Sequence, residues 1–139
     1  MTMRKATLTL AAGPLAALIL AAAPASATVA APQEHQKQFA SCHAQGQYAI
    51  CDASGTINHP LSVVLHVTSS PDQKVSGAWD VTCSKGLGAG GESGSFSGAT
   101  PYKHTLRLNY KYPDSCIVSA DAQLASGGSL RIRLVAWKR

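Results

Sequence analysis

In five runs between Leu61 and Trp137, apolar side chains return at almost every second residue. In LSVVLHVT, Leu61, Val63, Leu65 and Val67 share one parity, and Ser62, Val64, His66 and Thr68 share the other. VSGAWDVTC, HTLRLNYKY, CIVSADAQL and SLRIRLVAW repeat the pattern; QYAICDASG is a weaker version, and GSFSG a short one around Phe96. A period of two marks strands that bury one face. Turn-forming groups separate the runs: Asn58-His59-Pro60, Ser70-Pro71-Asp72, Tyr112-Pro113-Asp114 and Gly127-Gly128. About seven strands are expected, with no helical pattern between them. Each strand needs a second layer to cover its apolar side, so the expected fold is an all-β, two-sheet antiparallel sandwich.

Four cysteines reinforce that expectation. Cys42, Cys51, Cys83 and Cys116 are an even set in a short chain, which reads as two disulfides. Of the three pairings, the favoured one is Cys42–Cys51, a local loop, with Cys83–Cys116, a long one. The long loop removes more unfolded-state freedom, worth roughly 3–4 kcal/mol in the chain-entropy model. A metal site on Cys42, His43, Cys51 and His59 is the rival use. The chain has no C-x-x-C, and oxidation competes with thiolate ligation, so no metal is expected.

The compartment follows from the first residues. Arg4 and Lys5 open the chain, an apolar stretch interrupted by Gly13-Pro14 follows, and Ala25-Ser26-Ala27 gives an A-x-A exit. That is the pattern of a secretory signal peptide over 1–27. Its removal would leave 112 of the 139 residues and lower the net charge from +5 to +3. Residues 28–45 are polar with alanine and are expected to be an arm, linker or frayed helix; 46–139 would be the β-domain. No second apolar span follows, so the mature protein is expected to be secreted, extracellular and without a membrane span.

The strand order suggests a likeness. Trp79 lies in the third run, Cys83 ends that run and Cys116 starts the sixth, at core-facing parity. This arrangement resembles an immunoglobulin-like sandwich, in which the third and sixth strands are antiparallel neighbours. It departs from antibody-type domains in having no cysteine in the second strand and Asp114 where the corner tyrosine would stand. The alanine-rich leader, two disulfides and Gly/Ser/Thr-rich strands also resemble small uncharacterised secreted proteins of actinobacteria. That likeness implies an extracellular location and no activity.

Two short motifs invite chemistry and fail on context. Gly86-Leu-Gly-Ala-Gly-Gly91 matches G-x-G-x-x-G, but a dinucleotide loop must open a helix, and ESGSFSGATP cannot be one. The segment from Ser84 to Gly98 is instead expected to be a long flexible loop, open to a recognition role. Gly91-Glu92-Ser93-Gly94-Ser95 looks like the nucleophile run of trypsin-like proteases, which would make Ser93 the nucleophile. No Ala-His-Cys run accompanies it, and a nucleophile needs a fixed base. No catalytic residue and no cofactor are expected, and no nucleic-acid partner.

The outward parity of the last strand carries Arg131, Arg133 and Trp137, the candidate binding face for a glycan or anionic polymer. If the last strand neighbours the sixth, Asp121 and Asp80 would share its face and pair with the arginines, while Arg107 and Lys111 would belong to the other sheet. The expected function is that of a secreted, non-catalytic binding module for an extracellular protein or cell-wall polymer. An inhibitor of an extracellular hydrolase, acting through the 84–98 loop, is the alternative.

Overall fold

The computed structural model describes residues 35–138. The segment read as an export signal lies outside them, as do residues 28–34 and Arg139. The strands run in chain order β1 (His35–Gly46), β2 (Ile50–Asn58), β3 (Pro60–Ser70), β4 (Lys74–Lys85), β5 (Gly88–Ala99), β6 (Tyr102–Leu106), β7 (Ser115–Leu124) and β8 (Gly128–Lys138). They form two four-stranded sheets, ordered β1-β8-β3-β6 and β2-β7-β4-β5. Every pairing is antiparallel. The two-sheet sandwich expected from the alternation is therefore the fold, and it is consistent with an immunoglobulin-like architecture.

The core is what the parity rule selects. Val63, Leu65 and Val67 of β3 and Leu130, Ile132, Leu134 and Ala136 of β8 are fully buried from one side. Val75, Trp79 and Val81 of β4 and Val118, Ala120, Ala122 and Leu124 of β7 meet them from the other. At one margin an aromatic group links the sheets. Phe96 stacks on Tyr102 with centroids 5.0 Å apart, and Trp79 lies 6.1 Å from His104.

Both disulfides pair as favoured, with different jobs. Cys83 and Cys116 are direct register partners on β4 and β7, Cα atoms 4.0 Å apart, so this bond lies within one sheet. Cys42–Cys51 joins β1 to β2 and so ties the two sheets together.

Three expectations need correction. Part of the supposed arm is strand: His35–Gly46 pairs with β8 along its length and adds an eighth strand. The glycine segment is no loop. Ser84 and Lys85 end β4, Gly86 turns with φ of 59°, and Gly88–Ala99 is a full strand paired with β4. Glycine suits the turn because a Cβ is strained at positive φ. Within β5, a Cβ on Gly94 would lie 2.8 Å from the Trp79 ring, so the missing side chain is what lets the indole lie flat against the strand. Third, β8 does not neighbour β7; it lies in the opposite sheet between β1 and β3.

Each end of the sandwich has a polar tie. At one end, the Gln73 side chain donates to the Gly127 carbonyl at 3.0 Å and accepts from the Ser126 N–H at 2.8 Å. The Gln73 N–H donates to Thr100 Oγ1, which also bonds Ser69 Oγ. At the other end, Asp114 accepts from the Gly86 N–H at 2.7 Å, while the His59 N–H donates to the Asp114 carbonyl at 2.9 Å. The aspartate at the corner position thus holds two turns at once.

Candidate binding face

The placement of β8 decides the site. Antiparallel register sets its outward residues in rows with those of its neighbours. One row reads Ser41, Arg133, His66, Lys103 across β1, β8, β3 and β6. The next toward one end reads His43, Arg131, Thr68. Toward the other end come Gln38, Val135, Val64, Thr105 and then Gln36, Trp137, Ser62. Arg131, Arg133 and Trp137 therefore share one sheet face, as the sequence parity implies. His43, His66 and Lys103 join them.

The electrostatics of this face are one-sided. The four strands β1, β8, β3 and β6 carry Lys37, Lys103, Arg131, Arg133 and Lys138 and no Asp or Glu. The expected pairing of Asp80 and Asp121 with the arginines does not occur. Both aspartates lie on β4 and β7, on the outer side of the other sheet. Packed sheets are about 10 Å apart, so those carboxylates cannot satisfy the guanidinium groups.

Arg107 and Lys111 stay out of the patch for a different reason than the one expected. Arg107 follows β6, in the same sheet as β8, but its Nε lies 3.5 Å from Glu92 Oε1 of β5. Lys111 sits 5.7 Å from the Tyr112 ring, and its carbonyl accepts from Lys85 Nζ at 2.8 Å.

Burial grades the face. Arg131, Lys103 and His43 are exposed; Arg133, His66 and Trp137 are half-buried. Val64 and Val135 point outward by parity yet keep only 7% and 6% of their surface, so the long side chains around them close over an apolar floor. His66 lies between Arg133 and Lys103 in register. Partial burial first, then those two cations, hold its imidazole below the ordinary 6.5. Shallow depressions flank Arg131 on both sides, one by Ser41 and His43, the other by Thr68, Ser70 and Ser129.

The catalytic and metal candidates fall apart in space. Ser93 stands opposite Asp80 in register, on a sheet whose strands hold no histidine. Cys42 and Cys51 are consumed by their disulfide. Among the described residues, no group of three or more His, Cys, Asp or Glu side chains is arranged to hold a metal ion. The hydrolase-inhibitor alternative loses its contact loop, since 84–98 is a hairpin.

His66, His43 and Lys103 could not be attached to the site from parity, which says which side of a strand a residue takes but not which strand lies beside it. A signal was present all the same. The carboxylates cluster in CDASG, WDVT and SADAQ, and are absent from LSVVLHVT and SLRIRLVAW. Strands that share a charge sign are candidates for one sheet. No protein-family model matches the chain, and no curated protein matches it.

Proposed function

We propose that this protein is an exported, non-catalytic binding module whose outer β1-β8-β3-β6 face engages an anionic extracellular polymer. The observation that carries the reading is the absence of any carboxylate from those four strands, with Arg131, Arg133 and Lys103 aligned on one face. Unneutralised cations on a rigid surface attract and orient a polyanion, and guanidinium forks suit phosphate, sulfate or carboxylate groups. Trp137, beyond the Val64–Val135 floor, offers a flat ring against which a sugar can lie. Two disulfides accord with an oxidising compartment outside the cytoplasm.

Co-sedimentation of the oxidised protein with purified cell-wall polymer, at low and high salt, tests this. Binding is expected at low salt, weakening as the Debye length shrinks. Trp137→Ala should weaken whatever binding survives high salt. Equal retention by wild type and by a variant carrying both Arg131→Glu and Arg133→Glu would refute the assignment.

A further inference from the structure

The two sheets have four edge strands, β1, β6, β2 and β5, and they are managed unequally. The β1 edge carries a bulge between Gln38 and Ala40, and β1 is tied to β2 by Cys42–Cys51. β6 is only five residues long. Bulges, short strands and covered margins are the usual ways of blocking strand addition. β5 has neither a bulge nor a short run, and the segment after β6 reaches only its inward side, where Tyr110 and Asn109 lie against Gly88 and Gly90 and Arg107 pairs with Glu92. β5 runs twelve residues, pairs with β4 without a register shift, contains no proline or lysine, and carries one charge, Glu92.

The register says which backbone groups are open. Gly86-Leu87 is a two-residue turn, so the flanking pair Lys85 and Gly88 exchanges both hydrogen bonds. Alternation then turns Gly90, Glu92, Gly94, Phe96 and Gly98 toward β4. It makes Cys83–Cys116 a close pair without ladder bonds, consistent with its 4.0 Å Cα separation. The N–H and C=O groups of Ala89, Gly91, Ser93, Ser95, Ser97 and Ala99 face away. Among the described residues, no backbone hydrogen bond outside the ladders reaches them.

We propose that β5 pairs with β5 of a second copy of this chain, antiparallel about a two-fold axis centred on Ser93. In that register Gly91 of one copy meets Ser95 of the other, and Ala89 meets Ser97. Five of the six open residues are used, all but Ala99, giving about ten backbone hydrogen bonds, the number a typical interface carries. Glu92 falls opposite Gly94 and Gly90 opposite Phe96, so the only charge never faces its own copy. The open residues have small side chains, which admit a second backbone at strand spacing. Asp80 of the two copies would be three strand spacings apart, about 14 Å, beyond the screening length in physiological salt. The contact is isologous and closed, so it ends at a dimer.

Sedimentation equilibrium of the full oxidised chain over a concentration series tests the proposal, with hydrogen exchange as the local readout. The expected result is a monomer–dimer equilibrium in which the Gly91, Ser93 and Ser95 amides gain protection as concentration rises. Gly90, Glu92 and Gly94 should be protected throughout. Ser93→Pro removes an amide from the open edge without touching the β4 ladder, and should weaken association at least tenfold. Ser95→Lys, which keeps the backbone intact, should act in the same direction and serves if the proline variant does not fold. A monomer at every concentration up to the solubility limit overturns the proposal. So does a dimer that both variants retain, or one that protects amides elsewhere.

Discussion

The outer faces of the two sheets are built from the same strand geometry and opposite chemistry. The β1-β8-β3-β6 face presents Arg131, Arg133, Lys103, His66 and His43 around an apolar floor. The β2-β7-β4-β5 face presents Asp52, Asp121 and Asp80 among Ser54, Ser119, Ser93 and Ser95, with Lys74 only at its rim. Both sheets need solvation on their outer side, and serine with a few aspartates achieves it. Solvation alone gives no reason to exclude carboxylates from four strands. The difference separates a face that is merely wet from one whose cations have no carboxylate on their own four strands.

Breaking the cationic face should have the largest effect. A variant with Arg131→Glu and Arg133→Glu is expected to lose about 100-fold in polyanion affinity, taking each charge-assisted contact at roughly 1.5 kcal/mol. A variant with Asp52→Asn and Asp121→Asn should stay within about twofold, because its changes lie on the far side. Titration calorimetry on both decides it; equal losses would mean that net charge, not the face, governs binding.

The apolar floor offers the next contrast. Val135→Ala should cost about 1.5 kcal/mol in urea unfolding, since two methyl-sized groups lose their cover. Ser119→Ala, on the outer side of the other sheet, should change stability by no more than about 0.5 kcal/mol.

Acidity gives a smaller effect. The folded chain holds the His66 proton less readily than the unfolded chain. The stability this contributes is present above 6.5 and is lost as pH falls through the lowered folded value. A bound polyanion favours the charged imidazole, so affinity should rise roughly two- to fivefold between about pH 7.5 and about pH 5.5. A sulfated polymer, ionised throughout, isolates the protein's response. His43 shares the face, with Arg131, Arg133 and Lys103 as its fixed charges. His66→Gln should flatten the profile; an unchanged slope would refute the assignment to His66.

Smallest is the anionic face's own cost. Asp52 and Asp121 stand directly opposite on β2 and β7. Like charges in register repel, and solvent screens them, so Asp52→Asn should raise stability by about 0.3 kcal/mol at low salt and by less at high salt.

Period-two alternation located β3, β4, β7 and β8 because each carries branched or aromatic side chains on one parity. It found only the Phe96 end of β5 and missed the rest, because Gly88, Gly90, Gly94 and Gly98 occupy inward positions. Tyr110, Asn109, Trp79 and Tyr102 pack against those positions from neighbouring segments, so no apolar side chain of the strand itself marks them. It missed β1 because its inward residues include alanines and a half-buried cysteine, too weak a stripe amid glutamine and lysine. The residues Arg131, Arg133 and Trp137 were legible as one face from parity alone. The rest of that face was not, because β8 left β7 for β3, and only hydrogen-bond partners record such a move.

The Cys42–Cys51 bridge has a mechanical consequence. His35 stands opposite Lys138, so the first and last described strands begin and end at the same end of the sandwich. Tension applied between those two points would peel β1 from β8 one pair at a time, as a zip opens. The tear would halt at Cys42, where the disulfide passes the load to β2 and so into the second sheet. With the bond reduced, the same pull would strip the whole of β1. Oxidation state would then set how far this domain stretches before it yields.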